Sequence, residues 1–200
     1  MDQGLVVWAR RVKRQHPGCI PLWVFTDEKR LPDPLAVIRT LPKGLSGVLF
    51  RHDTHPNRSV LAKMVARLCR KRGVALIVSG DARLAKSLRA GLHLRGGAGG
   101  RPYGWSGEIL SASVHNAAQL RQARRGGVSL AFISPVFATS SHPGAQVLAV
   151  SGWRGLASQA GKVKPCALGG INGQTVRRLG PLCAGIGAIE AFFPVAQARV

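Results

Sequence analysis

The sequence has no long apolar segment. Its 200 residues are 46% hydrophobic, which is enough for a substantial core. No run, however, approaches the roughly 20 apolar residues that a membrane-spanning helix needs. The N-terminus, MDQGLVVWARRVKRQHPG, carries its basic residues after the apolar ones, which is the reverse of a secretory signal. We therefore expect a cytoplasmic protein that is neither exported nor inserted in a membrane.

Cysteine is scarce, and it does not occur in a metal-binding pattern. The four cysteines, at positions 19, 69, 166 and 183, form no C-x-x-C pair and have no histidines at zinc-finger spacing. Buried, reduced thiols are the favoured interpretation. The stretch His52, Asp53 and His55 places three potential ligands close together. Because no distant fourth ligand is evident, a polar loop is favoured over a metal site there.

Acidic residues are few. Eight Asp and Glu face 29 Lys and Arg, so the formal net charge is +21 and the sequence pI is about 11.7. Such an excess can hold nucleic acid, an anionic surface or phosphorylated small molecules. The basic residues are scattered over helix-like segments, and no RNA-binding sheet signature, zinc finger or helix-turn-helix is visible. The pattern favours a basic exterior with, at most, non-specific affinity for nucleic acid.

Two common enzyme fingerprints are also missing. The glycine-rich GGAGGRPYGW lacks the strand-to-helix context of a dinucleotide-binding loop, and a flexible connection is favoured over a mobile flap. No nucleophile elbow occurs, and no serine or cysteine has an evident base partner.

What the sequence does contain is a series of short apolar runs that alternate with amphipathic, helix-like segments. The runs are almost continuously apolar, which is typical of parallel strands covered on both faces. Eight such units favour closure into an α/β (β/α)₈ TIM barrel. We expect a single domain over 1–200, with the barrel in 17–193 and an extra helix in 1–16 lying across the barrel bottom. The runs are 21–27, 44–51, 73–81, 90–96, 108–115, 128–137, 164–171 and 183–192.

The active site of such a barrel lies at the C-terminal ends of the strands. After strand 7, Gly169 and Gly170 directly precede a helix start, and this arrangement predicts a phosphate site. His115 after strand 5 and His142 after strand 6 are the best acid/base candidates by position, although each could equally be structural.

Several motifs, taken in order, resemble the thiamine phosphate synthase/TenI family over roughly residues 21 to 192. The most specific are GDARLA, GLHL, PVFATSSH and ALGGI. The resemblance implies a (β/α)₈ barrel that joins a pyrimidine diphosphate to a thiazole phosphate and releases diphosphate with the help of Mg²⁺. It also implies that the thiazole phosphate lies near the ends of strands 6 to 8, at Thr139, Ser141, Gly169, Gly170 and Ile189.

The resemblance assigns the other half of the site to strands 2 to 5. Arg51 matches an arginine that closes strand 2, Asp81 an aspartate that binds the metal, and Ser113 a serine after strand 5. The family's Gln and Lys around Arg51 are absent, however, and its second metal-binding Asp is Ala98 here. Arg95 replaces a glycine of the same motif.

Two further departures follow strands 6 and 8, whereas the losses as a whole concentrate on the diphosphate and Mg²⁺ half. The loop Lys is His142, and the strand 8 Ser is Glu190, whose charge would repel phosphate unless it turns away. The leading hypothesis is an enzyme of thiamine biosynthesis that resembles the synthase. The alternatives are a TenI-like thiazole tautomerase with His115 or His142 as acid/base, a non-catalytic binder of thiazole or thiamine phosphate, and, remotely, a nucleic-acid-binding protein. A homo-oligomer is also possible in all of these cases.

Overall fold

The computed structural model is a closed barrel of eight parallel strands in the order β1 to β8, with β8 pairing back onto β1. It describes residues 1–95, 101–107, 109–139, 144 and 146–193. Each apolar run expected to form a strand contains one, so the predicted α/β barrel is confirmed. The strands are β1 Leu22–Phe25, β2 Ser46–Phe50, β3 Ala75–Ser79, β4 Gly91–Leu94, β5 Leu110–Val114, β6 Leu130–Ile133, β7 Lys164–Leu168 and β8 Gly185–Ala188.

In the part of the chain that the structure describes, six α-helices surround the strands, and polar residues fix where several of them begin. Asp33, Asp81 and Asn116 each accept hydrogen bonds from backbone amides in the first turn of α2, α4 and α5. Single 3₁₀ turns, Thr175–Arg178 and Glu190–Phe192, follow β7 and β8. Between β4 and β5, the described residues contain no α-helix. The helices are α1 Gln3–Gln15, α2 Pro34–Thr40, α3 Arg58–Arg72, α4 Ala82–Ser87, α5 Ala117–Arg125 and α6 Ala149–Ser158.

Aromatic side chains fill the barrel interior. The ring of Phe132 on β6 packs edge-on against Trp23 and Phe25 of β1, at centroid distances of 6.1 and 4.8 Å. Glycines on the neighbouring strands make room for these rings: a Cβ on Gly187 would lie 2.5 Å from the Phe25 ring, and one on Gly47 would overlap Trp23. The interior is therefore a packed core, and any ligand must bind above it, at a barrel mouth.

Helix α1 does not lie across the barrel bottom, so that expectation was wrong. At one end, the backbone N–H of Gly173, after β7, donates to Asp2, and Asp2 N–H donates to the carbonyl of Ala191, after β8. At the other end, Lys13 Nζ donates to the carbonyl of Cys19, which precedes β1. The helix thus runs along the outside of the barrel, and Leu5, Ala9 and Val12 are buried against it.

All four cysteines are free and buried, as expected from the sequence. Burial is the main cause that raises the pKa of each thiol, to about 12 for Cys69 and Cys183. These thiols are therefore protonated at neutral pH and poor nucleophiles. Within the described residues, no helix is long and apolar enough to span a membrane.

Candidate active site

A pocket of about 640 Å³ opens at the C-terminal ends of the strands. Its wall comes from the ends of β1, β2 and β5 and from the segments that follow β6, β7 and β8. Of the residues predicted from the sequence, the pocket brings together Arg51, His115, Thr139, Gly169, Gly170 and Ile189.

The glycine pair after β7 forms one side of this pocket. Gly169 and Gly170 have φ angles of +96° and +64°, a backbone region that residues with a side chain rarely adopt. They also lie tightly against the segment after β6, since a Cβ on Gly170 would be 2.5 Å from the carbonyl oxygen of Ala138. Backbone hydrogen bonds from Val136 N–H to Leu168 and from Phe137 N–H to Gly169 join the two segments. The glycines thus provide a compact backbone surface of the kind that phosphate groups approach closely.

His115 lies in the wall of the same pocket, directly after β5. Its Nδ1 is 2.8 Å from the carbonyl oxygen of Ser134, an acceptor, so Nδ1 carries the hydrogen. In the neutral ring, Nε2 is then the basic nitrogen. The backbone N–H of His115 donates to Gln119 in the first turn of α5, which fixes the position of the residue. A ring held this way is suited to accept and return a proton.

Arg51 supplies a cation to the wall at the end of β2. Its guanidinium carbon lies 5.9 Å from the centre of the Phe25 ring, and its backbone N–H donates to Thr26 Oγ1. Packing against the ring helps to hold the charged group in the pocket wall.

Glu190 also lines the pocket, but its charge is paired. Its Oε1 lies 2.6 Å from a guanidinium nitrogen of Arg30, which lines the same pocket. The pair reduces the repulsion that the sequence predicted between Glu190 and a phosphate. Arg30 was missed by the sequence analysis because it lies in the loop after β1, where no strand end marks it.

Ser113 was predicted as a site residue, but it is not among the pocket-lining residues. Its hydroxyl lies 3.1 Å from Nε2 of His93 on β4, whose Nδ1 is 2.9 Å from Ser111 Oγ. Burial, reinforced by the nearby charges of Arg51 and Arg95, lowers the pKa of His93 to about 3. His93 is therefore neutral at physiological pH and links two serines of β5 inside the barrel.

This buried histidine should make the fold sensitive to acid. Because the pKa of His93 is lowered on folding, the unfolded chain binds more protons below its normal pKa, and stability is lost as pH falls. From pH 6.5 to pH 4.5, the free energy of unfolding should drop by about 2 to 3 kcal/mol on account of His93. Urea denaturation of wild type and His93→Gln at both pH values measures this contribution. Equal losses in the two proteins would contradict it.

Asp81, the predicted metal ligand, is engaged by protein donors on both oxygens. Oδ1 accepts from Leu84 N–H at 2.9 Å and Oδ2 from Arg58 at 3.0 Å. Arg58 also contacts Asp53, which forms a second ion pair with Arg95. The described residues contain no group of three or more His, Cys, Asp or Glu that could hold a metal ion.

Magnesium prefers a carboxylate-rich site with room for several waters. Here the guanidinium groups of Arg58 and Arg95 lie against Asp53 and Asp81 instead. The residues around Asp53 and Asp81 therefore do not fit Mg²⁺. Three residues of the sequence analysis, Ser141, His142 and Ala98, lie outside the described residues.

Comparison with known proteins identifies the family. The family model described as thiamine monophosphate synthase (TMP-TENI) matches residues 23–191, which is most of the chain and all eight strands except the first residue of β1. The chain belongs to this family. The resemblance found in the sequence is thus confirmed.

Two proteins named thiamine-phosphate synthase are similar in sequence. A thiamine-phosphate synthase of Synechococcus sp. (strain WH7803) is 30% identical over 148 residues, which are 70% of this chain but only 41% of that protein. This chain therefore spans less than half of that relative. A thiamine-phosphate synthase of Pyrococcus horikoshii is 25% identical over 168 residues, with 80% of each protein covered.

Solved structures agree on the fold. Thiamine phosphate pyrophosphorylase from Pyrococcus furiosus has a TM-score of 0.70 at 24% identity, covering 86% of both chains. The corresponding protein from Bacteroides thetaiotaomicron has a TM-score of 0.57 at 18% identity, covering 90% of this chain and 89% of that one. A citrate synthase reaches 0.62 at only 11% identity. Likeness at this level therefore describes the barrel and not the chemistry.

Proposed function

We propose that this member of the thiamine monophosphate synthase family binds a thiazole phosphate in the pocket and transfers a proton on it, as a TenI-like tautomerase does. The observation that carries the proposal is His115, whose Nδ1–H is held by the Ser134 carbonyl in the wall of the pocket that also contains Gly169 and Gly170. A basic nitrogen and a predicted phosphate site thus share one cavity.

The phosphate is expected at the glycine pair. Backbone amides at such a turn attract an anion, and the missing side chains let it approach. Arg30 pairs with Glu190 in the pocket wall, which limits the cost of a carboxylate near the phosphate. Binding there leaves the thiazole ring in the remaining space of the pocket, which Arg51 and His115 line.

The chemical step is an isomerisation. His115 Nε2 takes a proton from one atom of the thiazole carboxylate phosphate, the hydrogen on the ring exchanges with solvent, and Nε2 then delivers a proton to another atom of the substrate. Substrate and product therefore have the same composition, and the neutral histidine is regenerated. Arg51 stabilises the negative charge that develops while the proton is on His115.

Synthase chemistry is the second candidate. It is favoured by Arg51 in the pocket wall and by the relatives named thiamine-phosphate synthase. Release of diphosphate needs cations that take up the developing charge. At the ends of β2 to β4, however, Arg58 and Arg95 are already bound to Asp53 and Asp81. That arrangement weighs against the synthase reaction.

Parallel assays distinguish the two reactions. Incubation with a thiazole carboxylate phosphate in D₂O should give isomerised product that carries deuterium, at the same rate with EDTA or with Mg²⁺. Incubation with a thiazole phosphate, a pyrimidine diphosphate and Mg²⁺ should give no thiamine phosphate. Formation of thiamine phosphate would replace the tautomerase proposal with the synthase, and loss of both reactions with retained binding would favour the non-catalytic binder.

A further inference from the structure

Asp2, which precedes the N-terminal helix, contacts two segments of the pocket wall. Its Oδ1 accepts from Gly4 N–H at 2.8 Å, which begins α1, and its Oδ2 accepts from Gly173 N–H at 2.6 Å. Its backbone N–H donates to the carbonyl of Ala191 at 3.1 Å. One residue therefore contacts the segment after β7 and the segment after β8 together.

The contact with the β7 segment has a specific fit. A Cβ on Gly173 would lie 2.7 Å from Asp2 Oδ2 and nearer still to Oδ1, so a side chain at this position would displace the carboxylate. Hydrogen bonds to a carboxylate are stronger than neutral ones, and the 2.6 Å distance is short for an N–H donor. Asp2 thus does more than cap a helix, since a cap needs only the first-turn amides.

From Gly173 the connection continues to the phosphate site. Asn172 Oδ1 accepts from the amides of Gln174 and Thr175, and Thr175 Oγ1 donates to the carbonyl of Gly170 at 3.0 Å. This closed set of hydrogen bonds makes Gly170 to Thr175 one rigid turn. Fixing Gly173 therefore fixes Gly170, which lines the pocket.

On the β8 side the connection is direct. Ala191 lines the pocket next to Ile189 and Glu190. Its carbonyl is held by the backbone of Asp2, and Asp2 itself is not among the lining residues. Asp2 therefore links the segment after β7 to the segment after β8 without itself lining the pocket.

We infer that Asp2 is a positioning residue that sets the separation of the two pocket segments and so the affinity for a phosphorylated ligand. The expected effect on ligand affinity rests on the proposed function, whereas the positioning of the two segments by Asp2 does not. It also gives α1 a role that the eight-stranded barrel does not require.

The test compares Asp2→Ala with Asp33→Ala in the full chain. Asp33 caps α2 by the same kind of hydrogen bonds, but its carboxylate accepts from Leu35 and Ala36 of that helix and not from a segment of the pocket wall, so its loss serves as a matched control for cap removal. Amide hydrogen exchange should accelerate at 169–173 and 189–191 in Asp2→Ala only. Calorimetry should show that affinity for a thiazole phosphate falls about tenfold in Asp2→Ala and stays within twofold of wild type in Asp33→Ala. Asp2→Asn keeps one acceptor oxygen and should fall between Asp2→Ala and wild type.

Unchanged exchange at 169–173 in Asp2→Ala would overturn the inference, as would an equal loss of affinity in the two alanine variants. A wild-type protein that binds no thiazole phosphate would instead refute the proposed function, and the exchange result would still decide whether Asp2 positions the segments. In the isomerisation assay, Asp2→Ala should raise KM while leaving the pH profile of kcat unchanged, because Asp2 does not contact the reacting atoms.

Discussion

Gly170→Ala should weaken binding of the thiazole phosphate by about 100-fold, because a small displacement of a binding group is enough for such a loss. At φ = +64°, alanine adds strain of about 1 to 2 kcal/mol. Its Cβ would also lie 2.5 Å from the carbonyl oxygen of Ala138 and 2.7 Å from the Phe137 Cβ. Since one of these obstacles is backbone, a segment of the pocket wall must move. Calorimetric titration with the thiazole phosphate measures the effect.

Gly161→Ala is the matched control for that experiment. Gly161 has nearly the same φ, +63°, but a Cβ there would meet only the flexible side chain of Arg124, at 3.4 Å. Both variants should lose thermal stability, because both place a side chain in the left-handed region. Only Gly170→Ala should lose affinity. If the two bind the ligand equally well, Gly170 is needed for the turn and not for the ligand.

The strands were predictable from the sequence because parallel strands in a barrel are buried on both faces. A continuous run of apolar residues is then enough to identify a strand. Examples are LWVF of β1 and LAFI of β6, in which all four residues are buried. The position of α1 was not predictable. Its apolar stripe indicates that one face is buried, but not against which part of the barrel. The residues that decide it, Gly173 and Ala191, lie more than 170 positions from Asp2.

The candidate site was predictable to the extent that strand ends define it. Arg51, His115 and the glycine pair lie in one pocket because each directly follows a strand, and Thr139 lies in the segment after β6. Asp81 follows a strand equally well, yet its carboxylate is taken up by Arg58 from α3. Such pairings join distant parts of the chain, so neither the position nor the type of a residue reveals them.

Ser113 is a second example of a side chain whose partner was not predicted from the sequence. It lies within β5 and not after it, and its hydroxyl bonds to His93, which the sequence analysis did not assign to the site. The available signal was a histidine inside the otherwise apolar strand GLHL, since a buried polar side chain needs a partner on a neighbouring strand.

His115→Asn should lower kcat of the isomerisation by about 10² to 10⁴ with the affinity for the thiazole phosphate nearly unchanged. The amide NH₂ of asparagine can take the place of Nδ1–H and keep the hydrogen bond to the Ser134 carbonyl, whereas nothing replaces the basic Nε2. The loss should therefore appear in kcat and in deuterium incorporation, and not in the dissociation constant.

His16→Gln provides the comparison for that variant. His16 also contacts a backbone carbonyl through a ring nitrogen, with Nε2 3.2 Å from Pro181, but it lies at the far end of α1 from the pocket. Its replacement should leave kcat and affinity as in wild type. If His115→Asn retains most of the wild-type kcat, another group transfers the proton. If its loss lies entirely in affinity, His115 binds the ligand without acting on it. Because the Nδ1 contact survives in the asparagine variant, a selective loss of kcat would assign the proton transfer to Nε2.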